Sequence, residues 1–145
     1  MNEVKYYPNR IGGVEQVYPN VHPGAGKYAA GMVVGNLAFL SGMTAQSATD
    51  GSCLAGTIGE QVFVCLDKAR AVLEEMGSSM ESVVKTVILL KDIEHYQQMR
   101  AAELSYYQAH APRLVEQPPA STVLQAASLG RPEYLVEFDI TAVVP

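Results

Sequence analysis

The chain has 145 residues, a length that fits one domain and allows a core to be buried without disulfide or metal staples. Hydrophobic residues make up 48% of it and are spread evenly, while the net charge of −5 comes with no run of Lys or Arg. Those numbers exclude a disordered chain and a nucleic-acid binder working through a basic face. No apolar run approaches the roughly 20 residues of a membrane span. The opening MNEVKYYPNR lacks the apolar stretch of a secretory signal, so cytoplasm is the expected compartment and no membrane partner is expected.

Residues 1–26, rich in Pro, Gly, Asn and Tyr, show no sustained period and read as an irregular N-terminal arm with room for a short strand. A single domain is expected over 27–145. KYAAGMVV and LAFLSG are two strand-like runs joined at Gly35 and Asn36, a two-residue hairpin signal. The small, polar stretch MTAQSATDGSCLAG reads as loop. Thr57 and Glu60 have the spacing of a capping box. Behind them Val62, Leu66, Ala69, Leu73 and Met76 recur at helical spacing, and Gly77 closes the run.

VVKTVILL, residues 83–90, is β-branched and nearly continuous, as a well-buried strand is. Asp92 is placed to cap a second helix with Ile93, Tyr96, Arg100, Leu104 and Tyr107 along one side, ended by Pro112. STVLQAAS then reads as a strand, and YLVEFDITAVV, residues 134–144, alternates apolar and polar positions. The order ββαβαββ, with two helices on one face of one sheet, predicts an α+β domain.

Among motifs, G-x-G-x-x-G, Walker A and G-x-S-x-G patterns are missing. His22, His95 and His110 never fall at a metal-binding spacing with Cys or carboxylates, and read as surface or capping residues rather than catalysts. Cys53 and Cys65 are isolated thiols, expected to be reduced in a cytoplasmic protein, Cys65 as a small core hydrophobe. What remains is a carboxylate pair. Glu137 and Asp139 are two apart on one strand and so share a face, either as a solvated surface or as a general acid/base at a pocket mouth.

Taken together, the strings VGNLAFLSG (34–42), LDKARAVLEEMGSSMESVVKTVILLKD (66–92), PPASTVLQAASL (118–129) and YLVEFDITAV (134–143) resemble the RidA/YjgF family of reactive-intermediate (enamine/imine) deaminases. The resemblance runs over roughly residues 27–143 in the same order. It implies a chorismate-mutase-like α+β fold and a homotrimer with clefts between neighbouring subunits. It also implies hydrolysis of enamines such as 2-aminoacrylate to a keto acid plus ammonia, with no metal or cofactor. By position, Tyr28 falls on the family's pocket tyrosine, and Ser41, Gly42 and Met43 on the loop whose backbone faces the small-molecule substrate. Glu137 falls on the carboxylate that positions water, with Asp139 beside it.

The chain departs from the family at P-P-A-S. Deaminases of this family read P-A-R-S there and grip the substrate carboxylate with the arginine, where this chain has Ala120 followed by Ser121 and Thr122. Losing such a charge-assisted pair forfeits on the order of 1.5–3 kcal/mol. The expected substrate is therefore other than 2-aminoacrylate, for example a 2-aminomuconate-type dicarboxylate. A small-metabolite-binding trimer without turnover is the alternative. Arg100 has two readings, a surface arginine paired with Glu103 or an anion anchor moved to another wall of the same cleft.

Overall fold

The computed structural model describes residues 3–18 and 27–145; His22 and the rest of the segment 19–26 lie outside the described residues. In chain order the elements are β1 (Val4–Tyr7), β2 (Arg10–Ile11), β3 (Val14–Glu15), β4 (Gly31–Val34), β5 (Leu37–Leu40), α1 (Ile58–Glu75), β6 (Val83–Leu90), α2 (Tyr96–His110), α3 (Arg113–Glu116), β7 (Ala120–Gln125) and β8 (Val136–Val143). From residue 27 onward this is the expected α+β order with one addition. Pro112 does not simply end the second helix: it precedes the single-turn α3, whose Leu114 is buried.

The arm is more regular than its composition suggests. β1 pairs antiparallel with β4, and β2 and β3 form a separate two-stranded ribbon turning through Gly12 and Gly13, both with positive φ (58° and 80°). Strands of two to four residues at an edge are too short to show a two-residue period, so composition hid them.

The main sheet has the order β1-β4-β5-β8-β6-β7, antiparallel throughout except for the parallel β6–β7 pair at one edge. Gly35 supplies the positive φ (60°) of the β4–β5 hairpin. Thr57 caps α1 by accepting from the Glu60 amide at 3.2 Å, while its hydroxyl donates to the Glu60 carboxylate at 2.7 Å. At the other end Gly77 (φ 80°) closes a Schellman turn, its amide bonding Glu74 and that of Ser78 bonding Leu73.

Helices cover one face of the sheet. Val136, Phe138, Ile140 and Ala142 of β8 point into that core with Ile88 and Leu90 of β6, against Val62, Leu66, Ala69 and Leu73 of α1. The buried face of α2 is rotated from expectation. It carries Met99, Glu103, Tyr106 and Tyr107, whereas Ile93, Tyr96 and Leu104 are exposed. A charge at Glu103 masked this face in the sequence, and its pairing with Arg100 is what permits the burial.

The opposite face of the sheet is left open by the helices. Alternation places Leu37, Phe39, Lys85, Leu89, Thr122, Leu124, Glu137 and Asp139 on it, with Leu37, Phe39 and Leu124 each exposed by 37% or more. One buried side chain fixes where β8 begins. Gln61 of α1 donates to the carbonyls of Ala55 (3.0 Å) and Glu133 (2.8 Å) and accepts from the Leu135 amide (2.8 Å). No helix among the described residues is long and apolar enough to cross a membrane.

Candidate active site

The backbone after β5 builds the site. Ser41 turns out of the strand with its hydroxyl donating to the Ala29 carbonyl at 2.6 Å and its amide to the Ala30 carbonyl at 3.0 Å. Met43 then bridges to Phe138 of β8, so the turn Ser41–Gly42–Met43 runs beside Glu137. Gly42 lets the Glu137 carboxylate lie directly against the backbone: a Cβ there would overlap Glu137 Oε2, and the carboxylate would have to shift.

Tyr28, Ser41, Gly42 and Glu137 together line an open cavity of about 300 Å³. Four of the sequence-derived positions therefore converge, and Met43 lines an adjoining recess with Tyr28, Ser41 and Gly42. Burial, and secondarily the charge of Asp139, pushes the Glu137 carboxyl above the ordinary carboxylate range. Tyr28 packs edge-on against Tyr18 at 4.8 Å between ring centres, and its backbone carbonyl accepts from the Tyr18 hydroxyl at 3.2 Å. Burial first, then Tyr18 and Glu137, raises the Tyr28 phenol above its ordinary value, so it keeps its proton and is a hydrogen-bond donor at neutral pH.

Asp139 shares the face of Glu137 but is exposed and lies opposite Val87, two pairs further along β8. Ser121 and Thr122 separate. Thr122 is on the open face, where its hydroxyl accepts from Lys85 Nζ at 2.9 Å. Ser121 is on the helix face, bonded to Thr86 and to Arg100 Nη2 at 2.9 Å. Successive residues of a strand point to opposite faces, so within one chain the two cannot serve the same cleft.

Arg100 lies with Ser121 on that helix side. It donates to Tyr96 Oη (3.1 Å), Glu103 Oε1 (2.8 Å) and Ser121 Oγ (2.9 Å). The chain does not bring it to Tyr28, Ser41 and Glu137, because the sheet stands between them. Nor does a cation depress the Glu137 carboxyl, as an anchor at that site would. The position beside Ala120 on the open face belongs instead to Lys85, its partner in the β6–β7 register.

Sequence reasoning missed Lys68. Its stem runs along the buried side of α1, and Nζ donates to the carbonyls of Thr44 (2.8 Å) and Gln46 (3.2 Å), holding the continuation of the site loop. It lines the same recess as Tyr28, Ser41 and Gly42, and burial lowers its pKa. The available signal was its spacing, three after Cys65 and four before Val72, both of which are buried.

His95 and His110 lie at the two ends of α2. His110 shares a short contact between its Nδ1 and Arg70 Nη1 (2.6 Å). Both cysteines are free; Cys65 is fully buried, which pushes its thiol up to about 12, whereas Cys53 is partly exposed. Among the described residues no group of three or more His, Cys, Asp or Glu is placed to hold a metal ion.

This loop-and-strand arrangement recurs in known proteins. Residues 20–144 match the family described as Endoribonuclease L-PSP. A RutC family protein of Pyrococcus abyssi is 28% identical over 117 residues, covering 81% of this chain and 86% of that protein. The human 2-iminobutanoate/2-iminopropanoate deaminase is 26% identical over 91 residues, 62% of this chain and 66% of that protein. A crystal structure of a YjgF family member from Neisseria meningitidis superposes with a TM-score of 0.70 at 28% identity, covering 99% of this chain and 96% of the other. With the hairpin, the site loop and the β8 carboxylate in place, the chain belongs to the Endoribonuclease L-PSP family, that of the RidA, YjgF and RutC proteins, as a divergent member without the P-A-R-S arginine.

Proposed function

We propose that the chain hydrolyses an enamine or imine to a keto acid and ammonia at the cavity of Tyr28, Ser41, Gly42 and Glu137. The observation that carries this reading is the seating of Glu137 against the Gly42 backbone in the wall of the cavity, where burial raises its carboxyl pKa and so strengthens it as a base. Similarity to the human deaminase supports the same class of C–N bond hydrolysis.

In the proposed sequence the enamine takes a proton at carbon and becomes an iminium. Water adds to the iminium carbon while ionised Glu137 accepts one of its protons. Protonated Glu137 then passes that proton to the amine nitrogen, the C–N bond breaks, and ammonia leaves. Loss of the hydroxyl proton completes the keto acid. The Gly42 backbone, between the engaged amides of Ser41 and Met43, orients the substrate, and no cofactor takes part.

Ala120 supplies no grip for a short acid, so the assigned substrate is not 2-aminoacrylate but a longer unsaturated acid of the 2-aminomuconate type. We further assign a cytoplasmic homotrimer with the cleft at the subunit boundary. The open, apolar sheet face bearing Leu37, Phe39 and Leu124 supports this, since it includes Glu137 and calls for cover. Ala120 also favours a second reading, a metabolite-binding trimer without turnover. Ammonia release measured with 2-aminoacrylate generated in situ, beside 2-aminomuconate, separates them. Release from the longer substrate that Glu137→Gln abolishes supports the enzyme. Saturable binding of 2-keto acids with no release from either supports the binding module.

A further inference from the structure

On the helix side of β7 a cavity of about 440 Å³ lies between α2, α3 and the two prolines before β7. Its volume is that of a site for one small molecule. Leu104, Leu114, Val115, Pro118 and Pro119 form an apolar wall, and Arg100 and Glu103 stand together on its polar side. Within one chain the sheet stands between it and the cavity of Tyr28, Ser41 and Glu137.

The ion pair in this cavity is under-used. Arg100 spends three of its five N–H donors, on Tyr96, Glu103 and Ser121, leaving two without a partner among the described residues. Glu103 is only 7% exposed, yet its carboxylate holds just Arg100 at 2.8 Å and, on Oε2, a long contact from Tyr107 Oη at 3.4 Å. A buried carboxylate accepts up to about four hydrogen bonds and is costly to leave short of them. Spare cationic donors and a spare anionic acceptor, side by side before an apolar wall, complement one chemical pattern.

We propose that this cavity binds the zwitterion of an α-amino acid with an apolar side chain. The ligand carboxylate takes the two spare guanidinium N–H groups, its ammonium donates to Glu103 Oε2, and its side chain packs on the wall of Leu104, Leu114 and Val115. The Arg100–Glu103 pair stays intact and is extended at both ends. A plain carboxylic acid would satisfy only Arg100 and face the charge of Glu103, and an amine the reverse.

Isothermal titration of the full chain with L-leucine, 4-methylpentanoate and 3-methylbutylamine tests this on the wild-type protein. Saturable binding of leucine is expected, weakened roughly tenfold or more in either analogue that lacks one charged group. Glu103→Gln is expected to weaken leucine by a similar factor without weakening 4-methylpentanoate, and Glu137→Gln is expected to leave leucine binding unchanged. The proposal is overturned if leucine does not saturate into the millimolar range or if both analogues bind as well as leucine. It is also overturned if Glu137→Gln abolishes binding that Glu103→Gln spares. Should Glu103→Gln fail to fold, the three-ligand comparison on the wild type decides alone.

Discussion

Met43 and Phe138 exchange both of their backbone hydrogen bonds, at 2.8 and 3.0 Å, so the loop leaving β5 is stitched to the strand that carries Glu137. Loop and strand are therefore held in one register, and a side chain at the neighbouring Gly42 would meet the Glu137 carboxylate. Gly42→Ala is expected to push the Glu137 carboxylate out of its seat and to lower kcat/KM by roughly a hundredfold, the scale of losing a general base. Circular dichroism should show the fold retained. Turnover within about threefold of wild type would show that Glu137 is not used in that position.

Glu137 should also leave a signature in stability. Its folded carboxyl pKa is raised, so the folded state holds the proton more tightly than the unfolded chain does. The sign follows: the ionised carboxylate costs stability, absent below the ordinary carboxylate value and fully present above the raised one. Glu137→Gln is expected to be more stable than wild type at neutral pH, the gap closing on acidification across that window. Thermal unfolding of both proteins from pH 4 to 8 measures it.

Asp139 sets part of that shift. Asp139→Asn removes the like charge and should move the acid limb of the kcat/KM profile to lower pH, leaving the plateau rate nearly unchanged. A limb that does not move would mean that burial alone raises the carboxyl.

Lys68 ties the carbonyls of Thr44 and Gln46 from beneath the site loop. Lys68→Met strands both and is expected to cost about 1–3 kcal/mol of unfolding free energy. Chemical denaturation reads the loss. Lys68→Arg should recover part of it, and Lys68→Met at wild-type stability would remove the lysine from this role.

The open sheet face predicts assembly. Light scattering is expected to report a trimer at micromolar concentration, and Phe39→Glu, a charge in the middle of that face, is expected to dissociate it. A wild-type monomer under those conditions would refute the subunit-boundary cleft.

What the sequence made legible was local. Gly35, the Thr57–Glu60 cap, the Gly77 stop and the alternation from Tyr134 to Val144 each follow from a few adjacent residues, and each is where it was expected. β1 depends on β4, a partner distant in sequence, and β2 and β3 are a ribbon of two residues a side, too short to show a period. The buried side of α2 was misjudged because Ile93 and Leu104 are apolar but exposed, while the charged Glu103 is inside. Parity along β7 already separates Ser121 from Thr122, and within the chain Arg100 goes with Ser121 to the helix side. The convergence of Tyr28, Ser41, Gly42 and Glu137 needed the family likeness, since nothing in the spacing joins residue 28 to residue 137.

Gln61 gives the fold a consequence that reaches beyond packing. Its amide reads the backbone on both sides of Tyr134, at the Glu133 carbonyl and the Leu135 amide, just before β8 enters the sheet. A strand has a parity, and a slip of one residue would turn Glu137 into the apolar core and set Phe138 in the cavity. A single glutamine on a helix thus acts as the phase reference for the strand, and the chemistry two residues downstream inherits its sign.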